Sequence, residues 1–271
     1  MTAKTLMIQG TGSGGGKSIL TAAICRYFYK SGFKVAPFKA QNMALNSFVT
    51  EKGDEIGRAQ AFQAEACGIS PDVLMNPILM KPSGDNSSQV ILMGKPSGSC
   101  NAKNYYALHK KHKKVVLSAL QSLREKYELV IIEGAGSPAE INLKKWDLVN
   151  MFIAEHSDSP VIIVGDIDRG GVFAWMKGTY DLLTLHEKNR VKGFIINKFR
   201  GDIDLLAPGI KQFEELVPKP VLGVVPYEKN LVVDEEDSIP KWSHSTESGA
   251  EEILNVAVIW TPRMSNFTDL T

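Results

Sequence analysis

Cysteine is scarce in this sequence. The 271 residues hold three, Cys25, Cys67 and Cys100, too few for a disulfide framework and without the paired short spacings of a zinc site. That favours a reducing compartment, and Cys25 reads as a small core residue of a helix. Long apolar runs are missing as well. No segment approaches the ~18 residues that a membrane span needs, and the first residues lead straight into a strand pattern without the basic and apolar regions of a secretory leader. Charge of one sign is not in excess, because the formal net charge is +1, so neither nucleic acid nor an anionic membrane is required as a partner. These absences predict a cytoplasmic protein. With 44% hydrophobic residues, the chain is long enough for one large α/β domain with an appendage.

Against that background the glycine-rich stretch Gln9-Gly10-Thr11-Gly12-Ser13-Gly14-Gly15-Gly16-Lys17-Ser18 stands out. It follows the apolar run Leu6-Met7-Ile8 and precedes a helical pattern from Ser18 to Lys30, which is where a phosphate-binding loop sits. Backbone N–H groups of Thr11 to Ser18 can turn inward around phosphate oxygens, Lys17 can reach the outer phosphates, and Ser18 can hold Mg²⁺. Four residues normally separate the first glycine from Gly-Lys, which would put Thr11 at the glycine position; counted from Gly10 there are five.

Short apolar runs alternate with helical patterns along the chain, the mark of parallel βα units. Strands are expected at Thr5 to Gln9, Lys34 to Phe38, Leu129 to Glu133, Pro160 to Asp166, Val191 to Asn197 and Val221 to Pro226. Ligands bind beyond the carboxyl ends of such strands, so Lys39 and the amides Gln41 and Asn42 point toward the phosphate site. A helix is predicted from Asp54 to about Cys67; Glu55 in its first turn either compensates the helix dipole or serves Mg²⁺. Two short strands, Ile78 to Lys81 and Gln89 to Met93 around a polar turn at 83–88, break the alternation and form a candidate substrate element. The run His109-Lys110-Lys111-His112-Lys113-Lys114 is expected to be a solvated face of a long helix over 104–126.

Three strand ends carry further chemistry. Glu133, at the tip of a buried strand and followed by Gly134-Ala135-Gly136-Ser137-Pro138, is placed to act on Mg²⁺ directly or through water. Glu140 and Asn142 follow in a loop that could close over a substrate. In Asp166-Ile167-Asp168-Arg169-Gly170-Gly171, Asp168 either meets the metal or the reacting group, or forms an Asp–Arg pair within a turn. Asn197 has the donor and acceptor to read a purine edge. The polar, acidic stretch 229–252 reads as a linker, and 253–271 as the start of a further domain that the chain leaves incomplete, with Ile253 to Ile259 its first strand.

Taken together, the phosphate loop, Pro37-Phe38-Lys39-Ala40-Gln41-Asn42-Met43, Glu55-Ile56-Gly57-Arg58-Ala59-Gln60, Asn76-Pro77 with Lys81-Pro82, Glu133-Gly134-Ala135-Gly136-Ser137-Pro138-Ala139-Glu140-Ile141-Asn142-Leu143, Asp166 to Phe173 and Asn197-Lys198-Phe199-Arg200-Gly201-Asp202 resemble the cobyric acid synthases. These are glutamine-hydrolysing amidotransferases of cobalamin biosynthesis, and the resemblance runs over nearly the whole chain. It implies an α/β fold with a mostly parallel sheet flanked by helices, a P-loop NTPase of the dethiobiotin-synthetase-like type. It also implies use of ATP and Mg²⁺ to phosphorylate the b, d, e and g carboxylates of the corrinoid adenosylcobyrinic acid a,c-diamide, with ammonia then displacing phosphate.

By that resemblance, residues 1–228 form the synthetase domain. Ammonia would come from a glutaminase domain beginning at 253, of which the nucleophilic cysteine and histidine are not in this chain. Lys17, Lys39 and Asp168 are the expected catalytic residues. Thr11, Gly12, Ser13, Gly14, Gly15, Gly16, Lys17, Ser18 and Asn197 would hold the nucleotide, with Asn197 reading adenine. Ser18, Glu55 and Glu133 would hold the metal, and Gln41, Asn42, Glu140 and Asn142 the substrate. A homodimer is compatible with this reading. The related a,c-diamide synthases and dethiobiotin synthetases are alternatives. So are the partitioning-type nucleotide-switch ATPases, but those place a second lysine five residues before the loop lysine, where this chain has Gly12.

Overall fold

The short apolar runs of the sequence become parallel strands, the inner ones largely buried. The structure, a computed structural model, describes residues 2–83 and 87–228, the side chains of 101–107 excepted. In chain order the elements are β1 (Lys4–Gly10), α1 (Lys17–Lys30), β2 (Val35–Phe38), β3 (Gln41–Met43), β4 (Ser47–Val49), β5 (Glu55–Gly57) and α2 (Arg58–Ala66). There follow β6 (Ile78–Pro82), β7 (Ser87–Leu92), β8 (Lys95–Asn101), α3 (Ala102–Lys126), β9 (Leu129–Glu133), α4 (Met151–His156) and β10 (Val161–Asp166). The series closes with α5 (Val172–Asp181), α6 (Leu185–Arg190), β11 (Val191–Phe199), α7 (Ile203–Leu216) and β12 (Val221–Pro226).

Six strands make one parallel sheet in the order β12-β11-β10-β1-β9-β2. β1 lies inside it, between β9 and β10, and the chain leaves β1 in both directions across the sheet. Ligand crevices form at such a point, outside the carboxyl ends of the strands. Register places the chemistry: Ile8 pairs with Glu133, Phe38 with Ile132, Gly10 with Val164 and Asp166 with Asn197. Thus Gly10, Lys39, Glu133, Asp166 and Asn197 all emerge at one edge. Every residue of β9 is buried, as expected for an inner parallel strand covered on both faces.

Two expectations need correction and a third is extended. The stretch 55–57 is not the first turn of a helix; β5 pairs antiparallel with β4, and α2 begins only at Arg58. Glu55 is therefore a strand residue, and dipole compensation is removed as a reading of it. The predicted hairpin is part of a four-stranded sheet, β3-β6-β7-β8, which also recruits Gln41–Met43 and Lys95–Asn101.

His109 and His112 do not lie on a solvated face, being only 8% and 2% exposed. With the buried Val116, Ala119 and Leu123 they continue one helical stripe at spacings of three and four, while Lys110, Lys111 and Lys114 point outward. The His109 ring meets the Trp146 ring edge to face at 5.2 Å. The lysines concealed that stripe in the sequence. The centre of the polar turn at 84–86, the linker at 229–252 and the segment 253–271 lie outside the described residues. Cys25, Cys67 and Cys100 are buried free thiols.

Candidate functional site

Glycine shapes the loop between β1 and α1. Gly14 and Gly16 have φ of 71° and 87°, a left-handed conformation that strains any side chain. A Cβ on Gly16 would run into the Asn197 amide, and one on Gly10 would sit 3.0 Å from Cδ of Lys17. The second contact exists because Lys17 folds back over the loop. Its Nζ donates to the Gly12 carbonyl at 2.7 Å and the Gly136 carbonyl at 3.2 Å, so this ammonium spans the gap between the loop and the segment after β9. No side chain caps α1, so its first N–H groups face the loop as an anion-binding end.

Glu133 is the centre of the site. It is 1% exposed, yet four donor contacts converge on it or beside it. Ser18 Oγ and Lys39 Nζ donate to Oε1 at 2.8 and 2.9 Å, and Gln63 Nε2 donates to Oε2 at 2.5 Å and to the Ser18 carbonyl at 3.2 Å. Burial alone pushes the Glu133 carboxyl up; the Lys39 ammonium, with the Gln63 and Ser18 hydrogen bonds, outweighs it and holds the group below the ordinary carboxylate range. A buried carboxylate kept ionised by an ammonium, an amide and a hydroxyl is a preformed negative point at the loop's mouth. Gln63 was not anticipated from sequence. The available signal was an amide on the buried stripe of α2, where an unpaired polar group is costly.

Across β1, the ends of β10 and β11 grip the loop from the other side. Asn197 Nδ2 donates to the Gly15 carbonyl at 3.0 Å, and Lys198 Nζ donates to the Gly14 carbonyl at 2.7 Å and to Asp166 Oδ2 at 2.8 Å. Asp166 also accepts from the Asp168 backbone at 3.0 Å and faces Arg169 Nε at 3.7 Å. Asp166 is buried, whereas Asp168 is 42% exposed at its side chain and pairs with Arg200 Nε at 3.1 Å. The Arg200 guanidinium lies 3.5 Å over the Tyr227 ring. Asp168 is thus on the nucleotide-facing edge but is not joined to Glu133 or Ser18. The acid that organises this turn is Asp166, and Lys198 was not foreseen; its position next to Asn197 was the only signal.

The remaining expected residues fall on the β3 side and on the loop after β9. Asn42 is buried and donates to Gln60 Oε1 at 3.2 Å, and Gln41 is its half-buried neighbour on β3. Asn76 joins the Gly57 N–H to the Lys39 carbonyl, tying β5 to the residue beside Glu133. The structure does not bring Glu55 to Ser18 and Glu133; its carboxylate pairs with Lys81 on β6. Glu140 and Asn142 are exposed on a loop pinned at its base by Asn150, which accepts from Ala135 N at 3.2 Å and donates to Ala135 O at 2.7 Å. Further along, Lys144 of this loop meets Glu187 at 2.6 Å.

The CbiA family model, described as the CobQ/CobB/MinD/ParA nucleotide binding domain, matches residues 6–240. The chain is 54% identical over 268 residues to a cobyric acid synthase of Dehalococcoides mccartyi, covering 98% of this chain and 53% of that protein. It is 54% identical over 271 residues to one of Sorangium cellulosum, covering 100% and 52%. The chain therefore spans about half the length of the curated relatives it matches. Solved structures are more distant: the signal recognition particle receptor FtsY of Elizabethkingia anophelis aligns at 17% identity and TM-score 0.48 over 82% of this chain and 56% of that one. The MinD cell division protein of Aquifex aeolicus aligns at 14% and 0.45 over 84% of both.

Proposed function

The chain belongs to the CobQ/CobB/MinD/ParA nucleotide-binding family, and from that premise we propose that it is the ATP-dependent synthetase part of a cobyric acid synthase. The reaction is amidation of the b, d, e and g side-chain carboxylates of adenosylcobyrinic acid a,c-diamide. Residues 1–228 form the synthetase domain, 229–252 a linker and 253–271 the opening of a glutaminase domain. Glutamine hydrolysis, and with it the supply of ammonia, belongs to the part of such proteins that this chain does not span.

The observation that carries the reading is the Lys39–Glu133–Ser18 junction. It sits between the phosphate loop and the β3 segment, where a second anion would meet the triphosphate. A carboxylate is a poor acyl electrophile. Attack of its oxygen on the γ-phosphorus, with ADP leaving, makes an acyl phosphate; ammonia then attacks the acyl carbon and phosphate departs. Two anions must be held together for the first step, so cations at the junction supply most of the assistance. Lys17 serves the triphosphate and Lys39 bridges to the substrate carboxylate. Gln41, Asn42, Glu140 and Asn142 flank the corrinoid, and Asn197 meets the adenine edge.

Ser18 Oγ and the ionised Glu133 carboxylate offer two hard oxygens 2.8 Å apart beside the loop. That set fits Mg²⁺, which takes few protein ligands and completes its shell with phosphates and water. When bound, Mg²⁺ offsets phosphate charge; the protein's part is to keep Glu133 ionised and Lys39 within reach.

The decisive assay supplies the chain with ATP, Mg²⁺, ammonium and the corrinoid diamide. ADP and amide should form together with ammonium and not with glutamine. No ammonium-dependent product would overturn the synthetase assignment, whereas glutamine-dependent product would overturn the division between domains.

A further inference from the structure

Two neighbouring side chains at the end of β11 hold two neighbouring carbonyls of the phosphate loop: Asn197 holds Gly15, and Lys198 holds Gly14. Lys198 does so from a left-handed backbone, φ 61°, as one of three non-glycine residues with positive φ among the described residues. Such a conformation persists only where surrounding contacts impose it. Here they are visible: the ammonium is seated between Gly14 O at 2.7 Å and the buried Asp166 at 2.8 Å, and the Ile167 N–H donates to the Asn197 carbonyl at 3.1 Å. Arg169 lies over the same glycine, its Nη2 2.9 Å from where a Gly14 Cβ would be. Carbonyls of Gly14 and Gly15 turned outward onto Lys198 and Asn197 leave the N–H groups of Gly15 and Gly16, in the same peptide units, turned the opposite way, toward the loop's interior, because the peptide unit is planar and trans.

We propose that Asn197 and Lys198 form a clip that holds the phosphate loop in its anion-binding shape. Lys198 is its positioning residue, acting through the Gly14 carbonyl with Asp166 as its anchor. The ligand class is a nucleoside triphosphate, and the inference rests on the nucleotide reading above. The charge-assisted bond to Gly14 shapes the loop for any polyphosphate, so its loss is felt whether or not a base is attached.

Binding of ATP and of inorganic tripolyphosphate, measured by calorimetry, tests this with Lys198→Met and Lys198→Gly. Both substitutions should weaken both ligands about tenfold or more, the effect of losing one hydrogen bond from a charged group. Both should also lower the thermal midpoint by unpairing the buried Asp166, Lys198→Gly less than Lys198→Met because glycine adopts positive φ without strain, while affinity falls alike in both; a merely structural lysine would lose stability with affinity unchanged. Unchanged affinity for both ligands would overturn the clip. So would loss of ATP with tripolyphosphate unchanged, because Lys198 would then serve the base alone. Wild-type protein that binds neither ligand would overturn the nucleotide reading itself, and the clip with it.

Discussion

Lys39 and Glu133 form the residue-scale unit on which the proposed chemistry rests. Both are buried and their charges meet at 2.9 Å, so removing either one takes from the other its buried counter-charge, which costs about 3–5 kcal/mol in a protein interior. Lys39→Ala should therefore lower stability by that order, read from denaturant unfolding, while Lys39→Met limits the loss of packing. In both, turnover should disappear and ATP binding should persist; loss of ATP binding in Lys39→Met would move Lys39 into the triphosphate site. Both residues were legible as residues at strand tips, because the alternation of apolar runs tells where strands end. Their contact was not legible, since it depends on β2 and β9 being neighbours, and strand order is not written in any local pattern. Gln63 and Lys198 escaped for a related reason: each acts on a backbone carbonyl far away in the chain, at 45 and 184 positions of separation.

Among the elements, α3 was placed well by its pattern and misread on its face. A run of two histidines and four lysines suggests solvent, but a helix sorts residues by 100° steps rather than by local composition, and the stripe through 109, 112, 116, 119 and 123 turns inward. Burial lowers the pKa of His109, with Lys113 adding to it, while the Trp146 carbonyl and Asp147 oppose; burial likewise lowers His112, with Lys111 and His109 beside it. A histidine with a depressed folded pKa stabilises the fold fully above its unfolded value near 6.5 and loses that contribution as pH falls toward the folded value. Stability should thus decline from about pH 6.5 downward, and a His109→Gln, His112→Gln double variant should show a flatter profile there. An equal slope in both proteins would exclude these two histidines as the source. The start of α2 was the other misplacement at this scale: Asp54-Glu55 looks like an acidic first turn, but the β4 partner and the Asn76 bond to Gly57 hold 55–57 extended.

On the scale of the whole molecule, the parallel sheet with its crevice was the most legible feature, because short apolar runs bounded by turn residues and alternating with helical patterns read as inner parallel strands. The second sheet was only half visible, as β3 and β8 are short or polar and gain their strand character from neighbours. Acid should loosen the molecule in a second stage. Burial raises Glu187, but the Lys144 ion pair and the Thr184 capping bonds outweigh it, so its carboxyl lies below the usual range, as does that of Glu133. Both contributions are complete above the unfolded value near 4.5 and vanish as pH falls through the folded values. Glu187→Gln should remove part of that acid-stage loss and, by releasing Lys144, detach the 140–147 loop from α6, which limited proteolysis would detect as earlier cleavage there.

One oxygen, Oε1 of Glu133, serves both the Ser18 hydroxyl and the Lys39 ammonium. A further partner at Ser18's side would compete with Lys39 for that oxygen. On the proposed reading, filling the nucleotide side would shift Lys39 toward the second substrate and so set an order of arrival. Initial-rate kinetics should show ATP adding first and the corrinoid second, with ADP competitive against ATP and noncompetitive against the corrinoid. A random-order pattern would mean that Lys39 is available before the nucleotide comes.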